Sequence, residues 1–335
     1  MTIDLPLIWA GLIAFAVLAY VVLDGFDLGI GILFPLFREE RQRDRLMNSV
    51  APVWDGNETW LVLGGGGLLA AFPLAYAIVL PALYAPLTAM LLGLVFRGVA
   101  FEFRWRTRRW KRVWDYSFAL GSLLAALMQG IALGGLVQGI HVEGRAYAGG
   151  WWDWLTPFSL LTGVALVVGY ALLGATWLII KTDGAVQDRC YLLARRLAVL
   201  LVAMIGIVSL WTPLLNARFL DRWFGWPNLI LTAPMPVLVL AAAWLLWNGL
   251  HRRHREAQPF FATLALFVLS YAGLGISFWP LMVPPSITIR EAAAPDASLG
   301  FLLVGAAILL PVILAYTAYA YRVFRGKVDD HAGYH

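Results

Sequence analysis

The stretch Ala51-Pro52-Val53-Trp54-Asp55-Gly56-Asn57-Glu58-Thr59-Trp60 sets two carboxylates, an amide and two indoles at the mouth of an apolar helix. The apolar run that follows stops at Phe72-Pro73. From Glu58 to Phe72 is about 15 residues, short of the roughly 20 that cross a hydrocarbon core, so the helix is expected to begin near Pro52. Asp55 and Glu58 then lie one turn apart on the same face, at or inside the membrane edge. An ionisable side chain there is expensive and by default functional, with a partner to be found. The plainer reading is a capping box, with Asp55 as N-cap and Glu58 at the third helical position. One carboxylate can serve both roles.

The elements that must position these groups are membrane spans. The chain has 335 residues, 61% hydrophobic and only 13% charged, against about 25% charged in soluble domains. Nine apolar spans stand out, roughly 6–34, 50–72, 75–101, 115–139, 157–180, 192–215, 228–250, 260–283 and 299–323. Short connections join them, so residues 1–335 read as one all-α transmembrane domain without repeats or linkers. The first apolar run has no basic segment before it, is too long for a signal peptide and continues into Asp24; it is expected to stay in the mature chain.

Lysines and arginines orient the spans. One side holds Arg38, Arg41, Arg43 and Arg45, then Arg104, Arg106, Arg108, Arg109, Lys111 and Arg112, then Lys181, Arg189, Arg195 and Arg196. It continues with Arg252, Arg253, Arg255, Arg322, Arg325 and Lys327, while the other side has only Arg145, Arg218, Arg222 and Arg290. By the positive-inside rule the N-terminus is outside and the C-terminus cytoplasmic. The net charge of +5 is thus accounted for by insertion topology and gives no reason to invoke nucleic acid. Tryptophans gather at span ends, Trp151, Trp152, Trp154, Trp223 and Trp226 outside and Trp105, Trp110 and Trp114 inside, as interfacial anchors do.

With orientation set, the acids fall in one leaflet. Asp24 and Asp27 lie on one face of the first helix within Leu23-Asp24-Gly25-Phe26-Asp27-Leu28-Gly29, whose glycines let another helix come close. Asp55 and Glu58 open the second helix from the same side, and Arg97 and Glu102 end the third. Asp4, Asp153, Asp221 and Asp296 sit in loops or at span ends on the other side. A one-sided acidic cluster suits a path that draws protons or cations from the cytoplasm. The alternative is structural, with Arg97 neutralising an acid such as Glu102 to lock three helices together.

Other chemistries are poorly supplied. The single cysteine, Cys190, excludes internal disulfides, iron–sulfur clusters and cysteine-based zinc sites. His141, His251, His254, His331 and His335 lie in loops or the tail, which leaves no imidazole within a span to hold a haem iron. The dispersed methionines read as packing residues. Gly64-Gly65-Gly66-Gly67 lacks the strand and the Lys-Ser/Thr of a phosphate loop. Like Gly134-Gly135 and the Pro284-Pro285-Ser286 turn, it reads as structural.

Leu23-Asp24-Gly25-Phe26-Asp27-Leu28-Gly29 together with Asn48-Ser49-Val50-Ala51-Pro52-Val53-Trp54-Asp55-Gly56-Asn57-Glu58-Thr59-Trp60 closely resembles subunit II of cytochrome bd-type quinol oxidases. Further matching blocks are Phe96-Arg97-Gly98-Val99-Ala100-Phe101-Glu102-Phe103-Arg104, Trp279-Pro280 through Pro284-Pro285-Ser286, and Leu310-Pro311-Val312-Ile313-Leu314-Ala315-Tyr316-Thr317. The resemblance therefore covers essentially the whole chain, and its short loops look like the cyanide-insensitive branch. It implies two four-helix bundles plus one peripheral helix, in a multi-pass protein of the bacterial cytoplasmic membrane. It also implies a partner, subunit I, which carries two b-type haems, haem d and the quinol-oxidising loop, while this chain ligates none. Some complexes add a small accessory transmembrane subunit, and some members hold a structural quinone in subunit II. The implied reaction oxidises quinol at the outer face and reduces O2 to water with cytoplasmic protons, generating membrane potential without a pump. The family places proton delivery partly in subunit II, at the aspartate matching Asp55 in its Trp54-Asp55-Gly56-Asn57 motif and at the acids matching Asp24 and Asp27. Glu58 departs from some members, which have a non-acidic residue there, and Glu102 can be aspartate in relatives, which suits a carboxylate paired with Arg97.

Two other classes use the same acids. A self-sufficient cation- or proton-coupled transporter expects inverted repeats and discontinuous helices with polar groups at the midplane, and the sequence offers no such set. A pure scaffold would use the acids only to pin helices.

Overall fold

Residues 4–107 and 109–328 of a computed structural model are described here. Arg108, His331 and His335, used above, lie outside the described residues. Fourteen α-helices, one 3-10 turn (Phe34–Leu36, after the first helix) and two small hairpins follow in order among the described residues. They are α1 Leu5–Leu33, α2 Glu40–Asn48, α3 Trp54–Ala71, α4 Pro73–Ala82, α5 Tyr84–Arg106 and α6 Lys111–Gln138, then the hairpin β1 Val142–Glu143 and β2 Ala146–Tyr147. Next come α7 Pro157–Lys181, α8 Gly184–Leu215, α9 Ala217–Phe224, α10 Leu229–Thr232, α11 Pro234–His251 and α12 Ala257–Phe278. The hairpin β3 Leu281–Val283 and β4 Ile287–Thr288 precedes α13 Ile289–Ala292 and α14 Asp296–Val323. Among the described residues eight stretches are long and apolar enough to cross a membrane, and they contain α1, α5, α6, α7, α8, α11, α12 and α14. The eighteen residues of α3 extend about 27 Å, but Asp55, Asn57 and Glu58 in its opening turns dilute its hydropathy.

Two expected boundaries move. The span expected over 75–101 divides at Leu83 into α4, of ten residues, and α5, of 23 residues, which runs on to Arg106. Prolines explain the break: Pro73 starts α4, Pro81 lies inside it and Pro86 sits in the first turn of α5, and a prolyl ring cannot continue the hydrogen-bond ladder behind it. The second span begins at Trp54 rather than near Pro52, because Ala51-Pro52-Val53 forms turns closed by Val53 N and Trp54 N on the Val50 carbonyl. Backbone groups thus do the work expected of the capping box. Val53 is the N-cap, no side chain caps the helix, and Asp55 stands at the second helical position.

The two ends of the bundle differ in chemistry. At one end α4, the hairpins and α13 gather, tied by Ala294 N to Ala71 O at 2.9 Å, Ile140 N to Pro284 O at 2.8 Å and the Arg290–Asp4 ion pair at 2.5 Å. At the other, Arg45–Asp183 at 2.6 Å, Lys327–Glu256 at 3.0 Å and Val328 N to Lys181 O at 2.8 Å join the segments rich in lysine and arginine. Helix α14 starts beside α1, where Trp9 Nε1 donates to the Leu299 carbonyl at 3.0 Å, and ends where Lys181 Nζ reaches the Phe324 carbonyl.

Helix α1 is the hub, packed on α3, α6, α7 and α14. Its second half, Asp24 through Gly31, is buried, although its first half faces outward in many places. Glycine makes this possible: a methyl group built on Gly29 would lie 1.8 Å from the Tyr170 carbonyl oxygen of α7 and 2.9 Å from Gly174 N. Backbones at that range gain dispersion contacts that a larger residue would forbid. Helices α5 and α6 cross in the same way, with Gly93 against Gly121.

Candidate functional site

Three helices meet around Arg97. Its side chain on α5 is fully buried, and its guanidinium donates from Nη1 to Asp24 Oδ1 of α1 at 2.7 Å and from Nη2 to Glu58 Oε1 of α3. A planar fork with two well-separated donors suits two carboxylates arriving from different helices. Trp54 covers the group, its ring 6.0 Å from the guanidinium carbon and stacked at 4.6 Å on Phe101. A buried guanidinium next to an indole face gains cation–π attraction as well as shelter from water.

Asp27 is also buried, one turn from Asp24, but it faces Asn57 instead of the arginine. Asn57 Nδ2 donates to Asp27 Oδ2 at 2.7 Å and to the Leu23 carbonyl at 3.3 Å, while Asn57 Oδ1 accepts from the Tyr321 hydroxyl of α14 at 3.0 Å. Asp27 Oδ1 is buried with no hydrogen-bond partner among the described residues. The result is a row of groups, Tyr321, Asn57 and Asp27, beside the pair of acids held by Arg97. Each can donate, accept or hold a proton.

The expected pairing of Arg97 with Glu102 is not what forms. Glu102 is exposed and reaches Arg106 at 3.7 Å, one turn further along the same helix. Five residues advance an α-helix by about 500°, so Glu102 projects roughly 140° away from Arg97. Asp55 is likewise not gathered in. It is exposed, and among the described residues it makes no ion pair, although Glu58, three residues on, reaches the arginine with a side chain 26% exposed. Of the five acids expected in one cluster, Asp24, Asp27 and Glu58 converge, and Asp55 and Glu102 stand outside.

A second network went unread in the sequence. Arg104, also fully buried, donates from Nε to Asp115 Oδ1 at 2.6 Å and places Nη1 2.7 Å from Asp44 Oδ1 without hydrogen-bond alignment. Arg43 holds the other oxygen of Asp115 at 2.7 Å, and Lys111 bridges Asp44 at 3.4 Å and Glu40 at 2.5 Å. The hydrogen bond and charge of Lys111 hold the Glu40 carboxyl below its ordinary range. The signal was present: Arg104 follows Arg97 by seven residues, which returns it to nearly the same face of α5. Tyr321 gave no comparable signal, being one tyrosine among several on the last helix.

His141, His251 and His254 are exposed at the two ends of the bundle, so the described imidazoles do not fit the axial ligation of a haem iron between helices. Among the described residues no three His, Cys, Asp or Glu side chains converge as a metal-binding group.

The family model for cytochrome bd terminal oxidase subunit II matches residues 5–324. Cytochrome bd-I ubiquinol oxidase subunit 2 of Escherichia coli K12 is 30% identical over 371 residues, covering 97% of this chain and 95% of that protein. Cytochrome bd ubiquinol oxidase subunit 2 of Bacillus subtilis is 30% identical over 335 residues, covering 96% of each. A chain in the structure of bd oxidase from Geobacillus thermodenitrificans superposes with a TM-score of 0.76 at 19% identity, covering 96% of this chain and 99% of that one. The last is a likeness of fold.

Proposed function

The chain belongs to the cytochrome bd terminal oxidase subunit II family, and from that premise we propose that it works as the non-haem subunit of a membrane quinol:oxygen oxidoreductase, stabilising subunit I and conducting protons to it from the cytoplasm. Haems b and d and the quinol site belong to subunit I in this reading, and when bound they supply the electron transfer and the reduction of O2. This chain supplies protons, since each O2 reduced to water consumes as many protons as electrons. Delivery of those protons from the cytoplasm, while quinol releases its own outside, builds membrane potential without a pump.

The observation that carries the reading is the charge count around Arg97. One guanidinium faces Asp24 and Glu58, with Asp27 one turn away. Three carboxylates against one cation leave negative charge that a low-dielectric site balances with protons. That capacity is what a proton path needs. Asp55, exposed at the start of α3, is the collecting group at the entrance, Glu58 and Asp24 are the buried stations, and Tyr321 and Asn57 hold Asp27 in place. In this reading the chain crosses nine times, through the eight apolar stretches found among the described residues and α3, with the N-terminus outside and the arginine-rich end in the cytoplasm. The chain is then a single transmembrane domain.

The test is oxygen uptake by the purified complex carrying Asp55→Asn. Slower quinol-driven uptake, by about tenfold, with an unchanged reduced-minus-oxidised haem spectrum is the expected result. Loss of the haem bands in that variant would assign the acids to scaffolding.

A further inference from the structure

At the arginine-rich end, α11 stops at His251 and the chain turns through Arg252-Arg253-His254-Arg255. An open groove of about 630 Å³ lies there, lined by Trp244, Trp247, Asn248, His251, Arg252 and Arg255. The neighbouring acids are already engaged: Arg253 holds Asp188 at 2.5 Å and Lys327 holds Glu256 at 3.0 Å. The carbonyl end of α11 attracts cations, but Arg195 serves it, donating from Nη2 to the Leu250 carbonyl at 3.0 Å. Arg196, Arg252 and Arg255 remain without a carboxylate partner among the described residues. Among the described residues, positive charge here exceeds the carboxylates that meet it.

A second groove, lined by Arg195, Arg196, Val199, Leu200 and Trp247, shares the Trp247 ring with the first. Across Trp247 from the cationic basin lies an apolar lane along α8, where Val199 is 56% and Leu200 49% exposed. Charge at one end, hydrocarbon at the other and an indole at the junction match the profile of a lipid across the interface. Arginine forks recognise phosphate by paired hydrogen bonds. The geometry points to a site for one anionic glycerophospholipid, its phosphate among Arg196, Arg252 and Arg255 and an acyl chain along Val199 and Leu200. The site rests on the membrane reading of the chain and is independent of proton entry through Asp55.

Native mass spectrometry of the intact complex tests it, after reconstitution in phosphatidylcholine nanodiscs containing a graded fraction of phosphatidylglycerol. The complex should retain one phosphatidylglycerol that Arg196→Gln/Arg252→Gln/Arg255→Gln releases, with the half-saturating fraction raised on the order of a hundredfold. The control Arg109→Gln/Arg112→Gln/Arg322→Gln removes the same charge from the same end and should leave retention unchanged. Equal loss in both triple variants, displacement by millimolar inorganic phosphate, or no retained lipid in the parent complex would overturn the site. If the triple variant does not assemble, Arg252→Glu alone should release the lipid, and retention in that variant overturns the site equally. Oxygen uptake read on the same samples separates this from the proton path, since a failure of uptake with lipid retained counts against the latter only.

Discussion

Arg97 and Arg104 are both fully buried arginines on α5, about two turns apart on nearly the same face, and they are set in opposite surroundings. Arg104, with Arg43 and Lys111, faces Asp44, Asp115 and Glu40, three cations against three carboxylates. Arg97 stands alone among Asp24, Glu58 and the nearby Asp27. The first network is balanced and closes α2 onto α5 and α6, so it has no reason to exchange protons. The second is short of positive charge. Burial of an arginine by itself therefore does not set the two networks apart; the excess of acids around Arg97 does, and the proposed proton path rests on it.

The largest expected effect comes from removing the lone cation. Arg97→Met strands three carboxylates in the bundle, a loss of about 3–5 kcal/mol for a broken buried pair, and the complex should not be recovered from detergent. Arg97→Lys keeps the charge without the fork and should give an assembled complex of reduced oxygen uptake. Normal uptake in Arg97→Met would end the distinction between the two networks. A sharper comparison sets Asp24→Asn against Asp115→Asn, each removing one partner of a buried arginine. Asp24→Asn should slow uptake about tenfold with the haem bands retained. Asp115→Asn should leave uptake within about twofold and lower the melting temperature of the complex by several degrees. The reverse pattern would exchange the roles assigned here. The smallest effect is Tyr321→Phe, which deletes one hydrogen bond to Asn57 worth about 1 kcal/mol and should slow uptake about two- to fivefold. Unchanged uptake would show that Asn57 holds its orientation without α14.

Much of this was legible from the chain alone, for reasons particular residues make clear. Charges are rare in an apolar chain, so Asp24, Asp27, Glu58 and Arg97 announced themselves, and the alternation of basic loops placed them at one end. What failed was direction around a helix axis. Arg97 and Glu102 are close in sequence and look like partners, yet five residues turn them apart, while Glu58 arrives from another helix. Asp55 sits in the same motif as Asn57 but faces outward. The prolines at 73, 81 and 86 were each visible, and still the run over 75–101 read as one helix, because hydropathy does not register a missing backbone donor. Contacts across the whole chain, such as Tyr321 with Asn57 over a separation of 264 residues, leave no local trace at all.

The pairing of Asp24 with Arg97 also spans time. The two residues are 73 positions apart, and at roughly 5–20 residues per second the ribosome takes on the order of 4–15 s to make the second after the first. Throughout that interval α1 carries Asp24 and Asp27 with no arginine from within the membrane portion of its own chain to meet them. Helix α1 is therefore made, and must be accommodated, with Asp24 still lacking the guanidinium that meets it in the finished bundle.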